Sequence, residues 1–137
     1  MAQQLGGRIF DFGNGAASNN IIAYINNNNL GFVVYNNTTV GDVSGIVSNV
    51  NDNVWRHCVW IISKISNNTK FYIYINGSLS VTKDTDIYFP PSVSRANNYI
   101  GLSNWITDPG YNGNVDDFRI YKEALTQDKI DIIYNYR

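Results

Sequence analysis

Short apolar runs separated by polar, asparagine-rich turns repeat along the whole chain. The runs are rich in Ile, Val, Tyr and Phe, have strand length, and begin about ten residues apart. They cover residues 7–12, 20–25, 30–35, 54–63, 70–76, 79–83, 97–103 and 113–122. Because no helical periodicity lies between them, the pattern predicts an all-β fold with antiparallel sheets in a sandwich or jelly roll.

Two runs predict more about the sheets. Residues 71–75 alternate, which places Phe71 and Ile73 on an aliphatic inner face and Tyr72 and Tyr74 on an aromatic, hydroxyl-bearing outer face. The run 54–63 is apolar on both faces, which predicts a central strand.

Two local signals predict a turn and a helix. The dipeptide at 76–77 is Asn-Gly, the strongest short hairpin signal, and it predicts that 70–76 pairs with 79–83. Near the C-terminus, Ile130, Ile133 and Tyr134 recur at helical spacing after Thr126, a suitable N-cap residue. These positions predict one short amphipathic helix at about 126–135, which we expect to close one edge of the sandwich.

Length and charge limit the classes of protein. A chain of 137 residues with 44% hydrophobic residues has the size of a single domain, here 1–137. Its formal net charge of -1 gives no basic excess for nucleic acid, and no apolar run is long enough to insert into a membrane. MAQQLGGR lacks the apolar region of a secretory signal, which leaves export undecided.

Asparagine is the most unusual component, with twenty-one residues in the chain. Asn tolerates left-handed backbone geometry and hydrogen-bonds to its own backbone nearby. Clusters such as the four consecutive asparagines at 26–29 therefore predict turns.

Three motifs resemble the laminin G-like, concanavalin A-like jelly-roll superfamily. WRHCV at 55–59 is similar to the Trp-x-His-Val-Ala strand of the family, and FYIYING at 71–77 is similar to its Tyr-Val-Asn-Gly hairpin. YIG at 99–101 and YNGNVDDFRIYKEALT at 111–126 resemble its C-terminal strands, which precede a short terminal helix. The resemblance implies an antiparallel jelly-roll β-sandwich of the concanavalin A-like lectin/glucanase type.

The N-terminus departs from the family pattern. Members begin with a strand pair before the segment that Arg8–Gly13 resembles, and only seven residues precede Arg8 here. One interpretation is an N-terminally truncated fragment of a larger protein. The other is an open sandwich with a bare edge beside Arg8–Phe12, covered by a second copy or another chain.

The acidic residues do not favour a catalytic function. Retaining glycosidases need two carboxylates about 5 Å apart. The chain has one glutamate, Glu123, and the adjacent Asp116 and Asp117 would point to opposite faces of a strand. Asp84 and Asp86 share a face but lack a third acid. These positions favour a protein that is not an enzyme.

The single cysteine does not supply a catalytic or structural centre. Cys58 excludes an internal disulfide and a cysteine-rich zinc site. His57 and Cys58 are neighbours on a strand and point to opposite faces, so they cannot share a proton. We therefore interpret them as a packed histidine and a buried thiol.

Asp116 is the candidate metal ligand. The resemblance places it on the last strand, where calcium-binding members contribute a carboxylate to a structural Ca²⁺. Calcium needs six to eight oxygen ligands. The alternative is that Asp116 or Asp117 accepts backbone N–H bonds or pairs with Arg119 or Arg56.

The loop 104–112 is the candidate ligand site. It carries Trp105, Asp108 and Tyr111 in a segment that Pro109 and Gly110 turn. Sugar C–H faces pack on aromatic rings while sugar hydroxyls bond polar groups. The alternative is that the loop aromatics fold back over the sandwich.

The outer-face tyrosines, Tyr72 and Tyr74, extend the same hypothesis. The sequence thus predicts a non-catalytic recognition or adhesion module that binds a glycan or glycoprotein. The alternatives are a structural block of a larger surface or virion protein and, third, a degenerate glucanase. All of them favour an extracellular or virion-surface location.

Overall fold

The computed structural model describes residues 7–85 and 90–136. Within them the chain forms eight strands and one helix. These elements are β1 (Arg8–Gly13), β2 (Ile21–Asn26), β3 (Asn29–Asn36), β4 (Thr38–Ser48), β5 (Cys58–Ile65), β6 (Asn68–Ile75), β7 (Ser78–Thr85), β8 (Asn97–Ile100) and α1 (Gln127–Asn135). The backbone divides into two compact units, residues 1–52 with 90–115 and residues 53–89 with 116–137.

The first unit contains a five-stranded antiparallel sheet. Its strand order is β4-β3-β2-β1-β8. One row of paired residues crosses the sheet through Asp42, Val33, Ile22, Asp11 and Tyr99. All four strand pairs are antiparallel, which confirms the prediction of antiparallel sheets.

The two faces of this sheet differ in chemistry. On one face, Phe10, Phe32 and Val43 are buried, and the Phe10 ring stacks on Phe12 with centroids 5.1 Å apart. The opposite face, which we call the polar face, carries Asp11, Asn20, Tyr24, Tyr35 and Asp42. The Phe-rich face supplies apolar burial, whereas the polar face offers hydrogen-bonding groups.

Most of the asparagine clusters lie at turns, as predicted, whereas Asn97 and Asn98 lie in β8. Among the described residues, ten residues other than glycine have positive φ, and seven of these ten are asparagines. Asn27 and Asn28 adopt φ values of 48° and 66° between β2 and β3. Asparagine occupies these left-handed positions because its short polar side chain bonds locally and lowers the steric penalty.

The second unit contains a three-stranded sheet in the order β5-β6-β7. Asn76 and Gly77 adopt φ values of 51° and 80° at the turn between β6 and β7, as a type I′ hairpin requires. The predicted hairpin is confirmed.

Helix α1 packs on a face of this sheet. Thr126 is its N-cap, and the Thr126 side chain accepts a bond from the Lys129 backbone N–H. Ile130 is fully buried in a cluster with Ile61 and Tyr74. The predicted helix is confirmed, but the expectation that it closes an edge is wrong, because Ile130 lies over side chains of β5 and β6. No helix among the described residues has the length and apolarity that a bilayer crossing requires.

Three expectations about strands are wrong. No strand was predicted at 38–48, yet β4 forms there and pairs along β3 with two register shifts. Residues 113–122 form no strand; Asp117 has a φ of 50°, which interrupts an extended backbone. The run 54–63 is not central, because β5 is an outer strand that begins only at Cys58.

The edge expected beside Arg8–Phe12 is also not bare. Strand β1 pairs with β2 on one side and with β8 on the other. The outer strands of the five-stranded sheet are β4 and β8 instead. Association with a second chain therefore stays a prediction, and these outer strands are where it would apply.

Candidate functional site

The candidate site is built on Asp11, a fully buried carboxylate in the middle of β1. Asn20 donates from Nδ2 to Asp11 Oδ1 at 2.8 Å, and the Asn104 backbone N–H donates to Asp11 Oδ2 at 2.8 Å. A buried carboxylate needs such partners, since an uncompensated charge is costly in an apolar interior. Asp11 therefore ties the 101–112 segment to the sheet.

Asn20 can approach β1 closely because residue 13 is a glycine. A Cβ at Gly13 would collide with the Asn20 carboxamide. Asn20 is itself fully buried, and its Oδ1 has no hydrogen-bond partner within the described part of the chain. The amide is thus held mainly by its single bond to Asp11.

Two more backbone bonds anchor the 101–112 segment. Gly101 N–H donates to the Ile9 carbonyl at 2.9 Å, and Tyr111 N–H donates to the Gly101 carbonyl at 2.9 Å. The second bond brings the two ends of the segment together. Together with the Asn104 bond to Asp11, these contacts make it a tethered loop.

An ion pair fixes the middle of the loop. Arg8 Nη2 lies 2.7 Å from Asp108 Oδ2, and both side chains are mostly buried, with 17% and 10% exposed. Ser103 Oγ donates to the same Asp108 oxygen at 2.8 Å and accepts the Trp105 N–H at 3.1 Å. Asp108 is therefore a fixed acceptor, and its partners set the backbone of Trp105.

Trp105 lies among aromatic and cationic groups. Its ring centroid is 5.1 Å from that of Tyr35, with the planes inclined by 58°. The Arg8 guanidinium lies 5.9 Å from the Trp105 centroid and 5.2 Å from the Tyr24 centroid. Arg8 Nε is buried without a hydrogen-bond partner among the described residues, so the faces of these rings supply part of its stabilisation.

Tyr24 extends the site across the sheet. Its ring lies over Gly31, where a Cβ would collide with the ring. Its hydroxyl donates to Asp42 Oδ1 at 3.3 Å. Groups on β1 to β4 and on the tethered loop thus form a connected set at the polar face. We call it the Trp105 cluster: Arg8, Tyr24, Tyr35, Asp42, Trp105 and Asp108.

The sequence-predicted site residues are only partly brought together. Trp105 and Asp108 meet at Arg8, while Tyr111 lies where the loop returns to Gly101. Both Trp105 and Tyr111 are partly buried, so the loop combines the two alternatives weighed from the sequence.

Tyr72 and Tyr74 belong to the second unit and do not form an open face. Tyr74 is only 8% exposed, against Ile61 and Ile130, and Tyr72 is partly buried beside the same cluster. Burial raises the pKa of the Tyr74 hydroxyl. The expectation of a solvent-facing tyrosine surface is wrong, because α1 covers it.

Asp116 is exposed, and its Oδ1 accepts the Asp117 N–H at 2.8 Å. Asp117 in turn holds Arg119 through two bonds of 2.7 and 2.8 Å. This is the arrangement of the alternative interpretation. Within the described residues, no three His, Cys, Asp or Glu side chains lie close enough to hold a metal ion together.

The other residues considered for catalysis from the sequence are Cys58, His57, Asp84 and Asp86. Burial raises the pKa of the Cys58 thiol to about 11, against an opposing effect of Arg56. The His57 ring lies 5.8 Å from the Tyr134 ring. Asp84 on β7 pairs with Lys70 at 3.0 Å, and Asp86 lies outside the described residues.

Five residues of the site were not predicted from the sequence: Arg8, Asp11, Tyr24, Tyr35 and Asp42. One signal for Asp11 was available, since an acidic residue inside the apolar run at 7–12 must be buried or paired. Asp42 had no such signal, because the strand that carries it was not predicted.

Comparison with known proteins identifies the family. The sequence profile Laminin_G_3, of the concanavalin A-like lectin/glucanases superfamily, matches residues 2–131. The chain belongs to this family, and its fold class is the antiparallel β-sandwich with one short C-terminal helix that the sequence predicted.

Individual relatives are distant. No curated protein matches the chain. Among solved structures it is similar to residues 221–444 of an S-layer domain-containing protein from Clostridium thermocellum ATCC 27405, with 22% identity and a TM-score of 0.40. The similarity covers 98% of this chain but 65% of that one.

Proposed function

We propose that the chain is a non-catalytic recognition module that binds glycans, free or on a glycoprotein, at the Trp105 cluster. The observation that carries the proposal is the Trp105 ring, partly exposed and held between Tyr35 and Arg8 beside the fixed Asp108 carboxylate. A ring pre-positioned in this way offers a stacking face without a large loss of side-chain entropy on binding.

The chemistry around Trp105 suits sugar hydroxyls. Asp108 and Asp42 are carboxylates, which accept hydrogen bonds from hydroxyl groups, and Tyr24 adds a phenolic hydroxyl. Pyranose rings present C–H faces to an aromatic ring and hydroxyls at their rims. An aromatic ring flanked by acceptors matches both features.

The charges of the first unit favour a neutral glycan. Its sequence carries two cationic side chains, Arg8 and Arg95, against four acidic ones, Asp11, Asp42, Asp52 and Asp108. Arg8 is neutralised by Asp108. A ligand bearing carboxylate or sulfate groups would meet net repulsion, whereas a neutral hexose would not.

The acidic groups in and beside the Trp105 cluster are held by structural partners, which favours binding over catalysis. Asp11 is buried between two donors, Asp108 is held by Arg8 and Ser103, and Asp42 accepts from Tyr24. A glycosidase nucleophile and acid must both reach the scissile bond. Asp11 cannot do so, because it is fully buried.

A pair of tryptophan variants tests the proposal. We expect the intact chain to bind neutral oligosaccharides on a glycan array and in calorimetry. Trp105→Ala should weaken binding by about tenfold, equivalent to about 1.4 kcal/mol. Trp55→Ala is the matched control, because Trp55 is 64% exposed and belongs to the other unit.

Two results would contradict the proposal. One is binding that Trp55→Ala and Trp105→Ala weaken equally, which would remove the Trp105 cluster as the site. The other is an intact chain that binds no glycan while Trp105→Ala loses about 3–5 kcal/mol of stability, as for a buried aromatic. That second result would support the structural alternative.

The structural alternative has one specific observation in its favour. Leu102 and Ile106, on the same loop as Trp105, are 56% and 100% exposed. Exposed apolar side chains on a loop suit contact with another part of a larger surface or virion protein. A degenerate glucanase ranks third. In each case we propose a location outside the cell or on a virion surface.

A further inference from the structure

Three Asn-Gly dipeptides occur in the chain, at 14–15, 76–77 and 112–113. This dipeptide is chemically labile in proteins. The backbone nitrogen of the glycine attacks the side-chain Cγ of asparagine, a new N–C bond closes a five-membered succinimide, and ammonia leaves. Water then opens the ring to aspartate or isoaspartate. Glycine permits the attack because it has no Cβ to obstruct its nitrogen.

Two of the three asparagine side chains are held by hydrogen bonds. Asn14 Oδ1 accepts the Ala96 N–H at 2.8 Å, and Asn14 Nδ2 donates to the Ser94 carbonyl at 2.9 Å. Asn76 Oδ1 accepts the His57 N–H at 3.0 Å. To react, each carboxamide must leave these partners and rotate toward its own glycine.

Asn112 lacks such restraint. Both Asn112 and Gly113 are exposed, and neither forms a hydrogen bond within the described part of the chain. Asn112 also has no left-handed φ, in contrast to Asn76 with its φ of 51°. Its carboxamide can therefore sample the rotamer that brings Cγ to the Gly113 nitrogen.

The Tyr111 side chain lies against the glycine at this site. A Cβ at Gly113 would lie 2.6 Å from the Tyr111 ring and hydroxyl. The Tyr111 ring thus occupies the space that a larger residue would need. This packing of Tyr111 favours glycine at position 113, and so it favours the labile Asn-Gly sequence there.

We propose that Asn112 is a site of spontaneous deamidation in the folded protein and that Asn14 and Asn76 are protected. The reaction would convert a neutral amide to a carboxylate one residue after Tyr111, in a unit that is already acidic. The isoaspartate product would also lengthen the main chain by one methylene group, beside the Tyr111 N–H that bonds Gly101.

Peptide mapping by mass spectrometry during incubation of the folded chain at mildly alkaline pH tests the proposal. We expect Asn112 to convert at least about tenfold faster than Asn14 or Asn76, since about 1.4 kcal/mol per tenfold is the scale of one hydrogen bond. Asn112→Gln should abolish the main conversion, because glutamine would have to close a six-membered ring.

The same measurement in denaturant is the matched control. Unfolding removes the hydrogen bonds of Asn14 and Asn76, so the three sites should then convert at similar rates. The proposal is overturned if Asn14 or Asn76 matches Asn112 in the folded chain. It is equally overturned if Asn112 stays intact in the folded chain while all three convert in denaturant.

Discussion

Replacing Asp11 by alanine should strongly destabilise the protein. Asp11 is fully buried and accepts bonds from Asn20 Nδ2 and the Asn104 N–H, both at 2.8 Å. Hydrogen bonds to a charged group contribute about 1.5–3 kcal/mol each, and removal of the acceptor leaves two buried or half-buried donors unpaired. We expect Asp11→Ala to lower the free energy of unfolding by about 3–5 kcal/mol.

Thermal and chemical denaturation measure this change. For a chain of this size, a loss of that magnitude corresponds to a fall in melting temperature of roughly 10–20 °C. Asp11→Asn should lose less, because its amide oxygen still accepts from one of the two donors. Hydrogen exchange of the Asn104 amide should accelerate in Asp11→Ala, since that amide then loses its side-chain acceptor.

Asp116→Ala is the matched control for this experiment, because Asp116 is an exposed aspartate. Its stability should stay within about 0.5 kcal/mol of the parent chain. The reasoning about Asp11 would be refuted by an Asp11→Ala variant within about 1 kcal/mol of the parent, with unchanged exchange at Asn104. That result would mean that the loop is held by its other bonds.

Two further predictions concern the remaining candidate groups. Cys58 should react slowly with a thiol reagent at neutral pH, because its pKa of about 11 leaves little thiolate. The rate should rise as the pH approaches that value. Rapid alkylation of the folded chain at neutral pH would contradict this prediction. Melting curves in excess Ca²⁺ and in chelator should coincide, because Asp116 is exposed and its Oδ1 already accepts the Asp117 N–H. A calcium-dependent rise in melting temperature that Asp116→Ala removes would instead show a calcium site.

Strands with apolar alternation were predictable from sequence, whereas strand pairing was not. β4 escaped prediction because Gly41, Ser44 and Gly45 interrupt its apolar pattern, although long-range pairing with β3 still forms it. Residues 113–122 have strand composition, yet one left-handed residue, Asp117, interrupts the extended backbone. Both outcomes depend on neighbours that local propensity does not describe.

The candidate site, too, could be predicted only where it depends on local sequence. Loop residues Trp105 and Asp108 were found because their residue types and the nearby Pro-Gly turn are visible in sequence. Tyr35, beside the Trp105 ring, and Asp42, which accepts from Tyr24, lie about 70 residues before the loop in sequence, and only the pairing of β2, β3 and β4 places them on one face. Tyr74 was misassigned because alternation identifies two faces of a strand but not which of them a helix covers.

The tethering of the 101–112 loop also makes the chain a scaffold for new binding surfaces. The bonds that hold it involve Gly101, Ser103, Asn104, Trp105, Asp108 and Tyr111, while the side chains of Ile106 and Thr107 at its tip are exposed. Replacing the two tip residues disturbs none of those bonds. A library randomised at these positions would vary the displayed surface while the sheet below, and the stability it provides, stays the same.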